Sequence, residues 1–190
     1  MSYTEARQLI HRKVMEEYIG VKVSVSLGAL RSMQIFVFGE AYKPGRYSVP
    51  SLSTITNVLY LSGGVSKMAS LRDIQIKRNG KIVARMDLYD LLLSGDRSSD
   101  VRLQVGDTIF IPAVGQTAGV EGQVRRPAIY EVMSNSTVGK LINLAGGLLP
   151  TAYQSKARIK RVDNRGFMTV VAVDLNTNKG LNTRLQVVTY

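Results

Sequence analysis

The 190-residue sequence contains no cysteine. Disulfides and thiolate metal sites are therefore excluded, and the redox compartment is left open. No apolar run approaches the ~18–20 residues that cross a bilayer as a helix. The opening Met1-Ser2-Tyr3-Thr4-Glu5 leads straight into a polar helical pattern, not into a secretory signal. The sole histidine, His11, falls on the polar side of that helix and reads as a solvated surface residue. Phosphate loops are missing too: Ser62-Gly63-Gly64 and Ala145-Gly146-Gly147 follow helical patterns instead of preceding them, and no Gly-Lys-Ser/Thr accompanies them. They read as helix C-caps. Asp87, Asp90, Asp96 and Asp100 lack the alternate spacing and the closing Glu of a calcium loop, and read as caps and turn residues. No catalytic residue, cofactor site or metal site is expected, and the chain is read as not an enzyme.

What the sequence has is positive charge and a repeat. The net charge is +11 on a chain that is 45% hydrophobic and 21% charged, an ordinary soluble composition. Residues 1–33 carry net +2, residues 34–113 net +3 and residues 114–190 net +6. A base-rich C-terminal third draws anionic partners, whether acidic glycans, nucleic acid or lipid headgroups. Nucleic acid ranks last, because no aromatics interleave with the basic run.

The stretch from Gly39 to Val49 recurs from Gly122 to Val132, at an offset of 83. Pro44 falls on Pro127, Tyr47 on Tyr130, Thr54 on Thr137, and Gly63-Gly64 on Gly146-Gly147. Ile76-Lys77-Arg78 still falls on Ile159-Lys160-Arg161. A register kept over some forty positions marks two copies of one module.

In chain order, Thr4 is predicted to cap a helix reaching about Tyr18, with an apolar stripe of Ala6, Leu9, Ile10, Val14 and Tyr18. Gly20 stops it. Val21, Val23, Val25 and Leu27 alternate with polar residues as a half-buried strand. Ile35-Phe36-Val37-Phe38 reads as a strand buried on both faces. Lys43-Pro44-Gly45 turns it into a hairpin with Arg46–Val49. Ser53 is predicted to cap a helix whose inner face is Ile55, Val58, Leu59 and Ser62. Two strands follow, about Ile74–Lys77 and Ile82–Met86, joined at Asn79-Gly80. A helical turn from Asp87 to Leu93 and a closing strand Thr108–Ile111 complete the copy. A mixed sheet wrapped around one helix is a β-grasp, an α+β arrangement.

The second copy, after a connector at Ala113–Ala118, caps its helix at Ser136 and buries Val138, Leu141, Ile142 and Ala145. Its later hairpin is four residues longer, with Asp163-Asn164-Arg165-Gly166 at the turn. Leu185 to Thr189 lacks the Gly-Asp turn of Leu103 to Asp107. The second copy is therefore expected to be truncated or to have an incomplete sheet with an unpaired edge.

The pattern Val37-Phe38-Gly39-Glu40, Pro44-Gly45-Arg46-Tyr47, Gly63-Gly64 and Leu103–Asp107 resembles the soluble-ligand-binding β-grasp (SLBB) module. In tandem it is similar to the periplasmic part of outer-membrane polysaccharide export proteins, the translocons of capsule and exopolysaccharide. Gln123 and Ala128 depart from the usual Glu and Gly, and Ala128 disfavours a positive φ. The resemblance implies residues 1–33 as the end of a polysaccharide-export domain, preserved as a helix and a strand. It implies residues 34–113 and 114–190 as two SLBB β-grasp modules. It further implies a non-catalytic periplasmic ring subunit associated with the outer membrane. Its partners would be polysaccharide, its own copies and an inner-membrane co-polymerase. Members are often anchored through a lipidated N-terminal cysteine, which this sequence lacks. The alternative reading is a stand-alone β-grasp module that binds a small soluble ligand.

The candidate contacts for glycan or a neighbouring subunit are Arg125 and Arg126, in the Pro127 turn, and the run Lys156, Arg158, Lys160 and Arg161. On a strand, Lys156, Arg158 and Lys160 share one face. Tyr47 and Tyr130, at matching positions, read as packing residues and not as sugar platforms.

Overall fold

The computed structural model describes residues 2–26, 28, 31–162 and 165–185. It divides into two compact units, residues 1–31 and residues 32 onward. The first holds α1 (Tyr3–Glu17). Ser2 caps it, not Thr4: the Ser2 side chain accepts from the Glu5 N–H and the Glu5 carboxylate accepts from the Ser2 N–H. This reciprocal box satisfies two otherwise orphaned donors. None of the α1 side chains is buried. The expected strand from Val21 is not formed: residues 21–26 pair with no strand among the described residues, and Leu27 lies outside them. The Tyr3 hydroxyl instead donates to the Val25 carbonyl at 3.1 Å.

Both repeats lie in the second unit. The first is a five-stranded mixed sheet of β1 (Ser32–Gly39), β2 (Gly45–Pro50), β3 (Ile74–Arg78), β4 (Lys81–Met86) and β5 (Thr108–Ile111), in the order β2-β1-β5-β3-β4. Helix α2 (Ile55–Leu61) buries Ile55, Val58 and Leu59 in one cluster with Ile35, Val37, Ile76, Ile109 and Ile111. Only one face of β1 is buried, contrary to the sequence expectation. Phe36 is half-buried and Phe38 exposed, their rings stacked 6.1 Å apart on the outer side. The N-cap of α2 is Thr54, one residue later than expected. α3 (Leu88–Ser94) is capped by Asp87, whose carboxylate accepts from the Tyr89 N–H at 2.9 Å.

The second repeat reproduces several local contacts of the first. The Tyr42 and Arg125 amides donate to the Gly64 and Gly147 carbonyls, both at 3.1 Å. The Tyr47 and Tyr130 hydroxyls donate to the Lys43 and Arg126 carbonyls, so these tyrosines pin their own turns. Helix α4 (Val138–Leu144) is capped by Thr137, again one residue later than expected. Gly45 has φ +153°, but among the described residues Asn79 is the one non-glycine with positive φ, so the Ala128 turn differs in form.

Among the described residues no strand joins the two hairpins of the second repeat. β6 (Thr117–Val120) pairs with β7 (Ala128–Glu131), and β8 (Ala157–Val162) pairs with β9 (Met168–Val173), as two separate hairpins. Asp163 and Asn164 of the longer loop, and residues 186–190, lie outside the described residues. A 3₁₀ turn, η1 (Gln154–Lys156), precedes β8, and α5 (Asn178–Leu181) follows β9.

One carboxylate joins the repeats. Glu131 is 8% exposed. Its side chain accepts from the Ser70 hydroxyl (2.8 Å) and from the N–H groups of Leu71 (2.8 Å), Arg72 (3.2 Å) and Gly115 (2.9 Å). Its carbonyl accepts from Arg72 Nε at 2.8 Å, and its own N–H donates to the Tyr89 hydroxyl at 3.0 Å. Arg72 lies over the Tyr89 ring at 4.5 Å and reaches Asp87 at 2.7 Å.

Two outcomes are expected. Glu131→Ala strands several buried donors, costing roughly 2–4 kcal/mol. Denaturant unfolding should then show the repeats melting apart, and a single transition at an unchanged midpoint would exclude the clamp. The second outcome concerns acid. Burial raises the pKa of Asp100, but the hydrogen bonds it accepts from Thr56 and Arg97 outweigh this and hold it below the ordinary carboxylate value. A depressed carboxylate adds stability above its unfolded pKa of ~3.9, and that stability is lost as pH falls through the lower folded value. Asp87 works the other way: burial, its largest influence, holds it above the ordinary value despite Tyr89 N–H and Arg72. Asp100→Asn should therefore be less stable at neutral pH and lose less stability on acidification, as read from melting temperature against pH.

Candidate functional site at the open edge of the second repeat

The second repeat has a smaller core than the first. The largest fully buried side chains all belong to the first repeat, from Ile35 to Ile111. In the second, Val138 and Leu141 of α4 are buried with Val124, Tyr130, Val132 and Val173. Between β6 and β8 the fold opens as a groove of about 1180 Å³, with Val120, Leu141 and Ile159 among its apolar lining. Among the described residues each of these strands pairs with one neighbour, β7 or β9, and its other edge is unpaired. Such edges carry unpaired N–H and C=O groups.

The basic residues divide into two sets. Arg158 and Lys160 are exposed and alternate along β8, beside the exposed Val170 of β9. Lys156 does not join them on the strand; it ends η1, with its ammonium 5.7 Å from the Tyr153 ring. Arg161 is half-buried on the opposite face of β8. All four line the groove. Arg125 and Arg126 do not. They sit at the α4 C-terminus, where Arg126 Nη2 donates to the Leu144 carbonyl at 3.2 Å and Gly146 packs beneath both side chains. A guanidinium on the last carbonyls of a helix complements its negative end.

The acidic residues are occupied locally. Asp87 caps α3, Asp96 accepts from the Ser98 N–H, and Asp100 reaches the α2 N-terminus through the Thr56 N–H at 2.9 Å. Asp107, fully buried, grips Arg78 with two hydrogen bonds of 2.7 and 2.8 Å. His11 is exposed on α1.

Sequence reasoning missed Glu131. It aligns with the exposed Ser48 of the first repeat, and the one available signal was that the copies differ there in charge between matched Tyr and Val residues. The sequence leaves the position of the expected unpaired edge open; β9 is an outer strand, as β4 is in the first repeat. The inward edges are those of β6 and β8. Amide exchange at residues 117–120 and 157–162 should therefore run faster than at β1 and β3, as read by mass spectrometry or NMR. Equal protection in a monomer would close the groove.

Comparison with known proteins follows this geometry. The SLBB domain family matches residues 34–85 and 117–172, more than half of the chain and one match per repeat. The polysialic acid transport protein KpsD of Escherichia coli is 30% identical over 138 residues, which is 72% of this chain and 25% of that protein. The EPS I polysaccharide export outer membrane protein EpsA of Ralstonia solanacearum is 27% identical over 152 residues, 78% of this chain and 40% of that protein. The chain thus spans about a quarter of the length of KpsD and two fifths of EpsA. With two matched repeats bearing one hydrogen-bond pattern, the chain belongs to the SLBB domain family.

Proposed function

We propose that this chain is the periplasmic part of an outer-membrane polysaccharide exporter, where it forms a section of the conduit wall without making or breaking bonds. The observation that carries this reading is a pair of SLBB repeats clamped into one unit, with the cations Arg158 and Lys160 held outward on β8. A polysaccharide sliding along a wall needs a stiff support and weak, repeated contacts, not a deep pocket. An exposed cationic strand attracts a polyanion while leaving it mobile, because surface charges in water are individually weak. KpsD and EpsA, both named for polysaccharide transport or export, support the same reading.

On this reading residues 1–33 are the end of an export domain, and residues 34–113 and 114–190 are the two modules. Copies of the chain assemble in a ring around the polysaccharide path, facing an inner-membrane co-polymerase. Arg125 and Arg126, set apart from the groove, serve as a contact for a neighbouring copy.

The test is retention on an immobilised acidic polysaccharide such as polysialic acid, with a neutral dextran as control. Reversing Arg158 and Lys160 together (Arg158→Glu with Lys160→Glu) should weaken retention roughly five- to tenfold at low salt. The effect should fade as salt rises, because the Debye length falls to about 3 Å at 1 M. Equal retention of parent and variant at low salt would remove β8 from the polysaccharide path.

A further inference from the structure

The outer face of the first sheet is aromatic although its core is aliphatic. Three of the four phenylalanines, Phe36, Phe38 and Phe110, stand on that face, and no phenylalanine belongs to the buried core. Phe36 and Phe38 alternate along β1 with the buried Ile35 and Val37, and Phe110 alternates on β5 with the buried Ile109 and Ile111. Strand register sets them in two rows. Arg46, Phe36, Thr108 and Lys77 lie opposite one another across β2, β1, β5 and β3. Phe38, Phe110 and Gln75 form the next row. The Phe36 and Phe38 rings are parallel to within 9°, and Phe38 is 47% exposed.

Two cations border these rings. Lys77 places its ammonium 4.0 Å over the Phe110 ring, and Arg46 is exposed opposite Phe36. No carboxylate among the described residues pairs with either. Arg85, opposite Gln75, is different: Asp73 neutralises it and also accepts from Gln75. The face thus joins open aromatic surface to positive charge that the chain itself leaves unanswered, and it complements an anion carried on an apolar plane.

The second repeat separates what the fold needs from what this face adds. At the offset of 83, Val138 and Leu141 follow Ile55 and Val58, and Ile159 follows Ile76, so the helix-facing side stays apolar in both copies. On the outer side Gly119 and Glu121 stand in place of Phe36 and Phe38. Packing therefore does not require aromatics there. Lys160 keeps the charge of Lys77, and Arg158 replaces Gln75. The cations assigned above to polysaccharide contact are thus the second repeat's counterparts of this same face.

We propose that the outer face of the first sheet is a stacking subsite for an acidic polysaccharide, a polymer of pyranose rings that bear carboxylates. The inference rests on the conduit reading and adds to it a site on the first repeat and the chemistry of the sugar. The C–H face of a pyranose lies on Phe38 and Phe36, against the negative faces of their rings. The sugar carboxylate meets Lys77 or Arg46, and hydroxyls exchange hydrogen bonds with Gln34, Gln75 and Thr108. Charge on β8 acts at a distance and yields to salt, whereas stacking acts in contact and does not. A nucleic-acid strand fits less well, because a phosphate on every nucleotide calls for a continuous cationic track. Here two free cations stand among neutral side chains.

The experiment titrates the intact, isotopically labelled chain with a short polysialic acid oligomer, and with a dextran oligomer as the neutral sugar, and follows backbone amide shifts by NMR. Saturable shifts are expected at residues 36–38 and 108–110, with tighter binding of the acidic sugar. Phe38→Leu keeps apolar bulk but removes the ring. It should weaken binding at these amides roughly three- to tenfold, at high salt as at low, with the melting temperature unchanged. Lys77→Gln should leave dextran binding as it is and reduce the advantage of the acidic sugar. Arg158→Glu with Lys160→Glu should leave the shifts at residues 36–38 in place. Shifts confined to β8, or a Phe38→Leu chain that binds as tightly as the parent, would overturn the subsite and leave the conduit reading standing. So would an effect of Phe38→Leu that vanishes at high salt, or a Lys77→Gln chain that loses both sugars alike. No saturable binding of either sugar anywhere on the chain would overturn both. A dimer that Phe38→Leu disrupts and the sugar does not would give the face to a second copy and overturn the proposal. A single-stranded oligonucleotide that shifts the same amides where the sugar does not would overturn it as well.

Discussion

A single buried carboxylate holds the two repeats in one relation. Glu131 gathers a hydroxyl and two backbone N–H groups from the Ser70–Arg72 loop of the first repeat and a third N–H from Gly115 of the connector, while its own main chain is engaged by Arg72 and Tyr89. A carboxyl group so deeply placed is tolerable only when its polar atoms find partners. Here the donors come mainly from backbone, which cannot swing away to water. The carboxylate thus defines direction as well as attraction: each oxygen needs its partners at fixed angles, and the second repeat is docked in the one orientation that supplies them. Tyr89, on the α3 helix of the first repeat, packs with the core of the second and extends the same junction with apolar surface.

Duplication explains how such a junction arises. Ser48 is exposed in the first repeat, and the equivalent Glu131 is buried in the second. One position of a repeated unit has become interface in one copy only. The intramodule contacts, by contrast, are retained: the tyrosine hydroxyl on its own turn, the helix cap, and the bridge from the strand to the glycine pair all recur. Selection on packing keeps what lies inside each copy, and the surfaces diverge.

This division also sets what could be read from sequence. The offset of 83, the alternation in β3 and β8, and the Asn79-Gly80 turn are local patterns, and they located the elements. Helix caps were missed by one or two residues because Ser53 and Thr54, or Ser2 and Thr4, are chemically equivalent candidates and backbone dihedrals choose between them. The Val21–Val25 alternation failed as a strand because alternation specifies a face, not a neighbour, and a strand needs a ladder partner. Phe36 and Phe38 misled because an outward aromatic pair looks in sequence like a core run. Glu131 and the separation of Arg125 and Arg126 from β8 depend on how loops far apart in the chain meet, and no periodicity records that. The basic run on β8 was legible as a run, but the inward turn of Arg161 emerged only against Arg78 and Asp107 in the folded first repeat.

The two glycine-pair ends have diverged in chemical character. Tyr42 lies against Gly63 in the first repeat, whereas Arg125 and Arg126 lie over Gly146 in the second. Exposed Tyr60 and Leu61 flank the former. The first turn thus sets an aromatic beside its exposed Lys43, where the second sets two arginines. Since free charges are felt over about 10 Å at 0.1 M salt, the paired guanidinium groups of the second turn cast a stronger field into solvent than the single ammonium of the first.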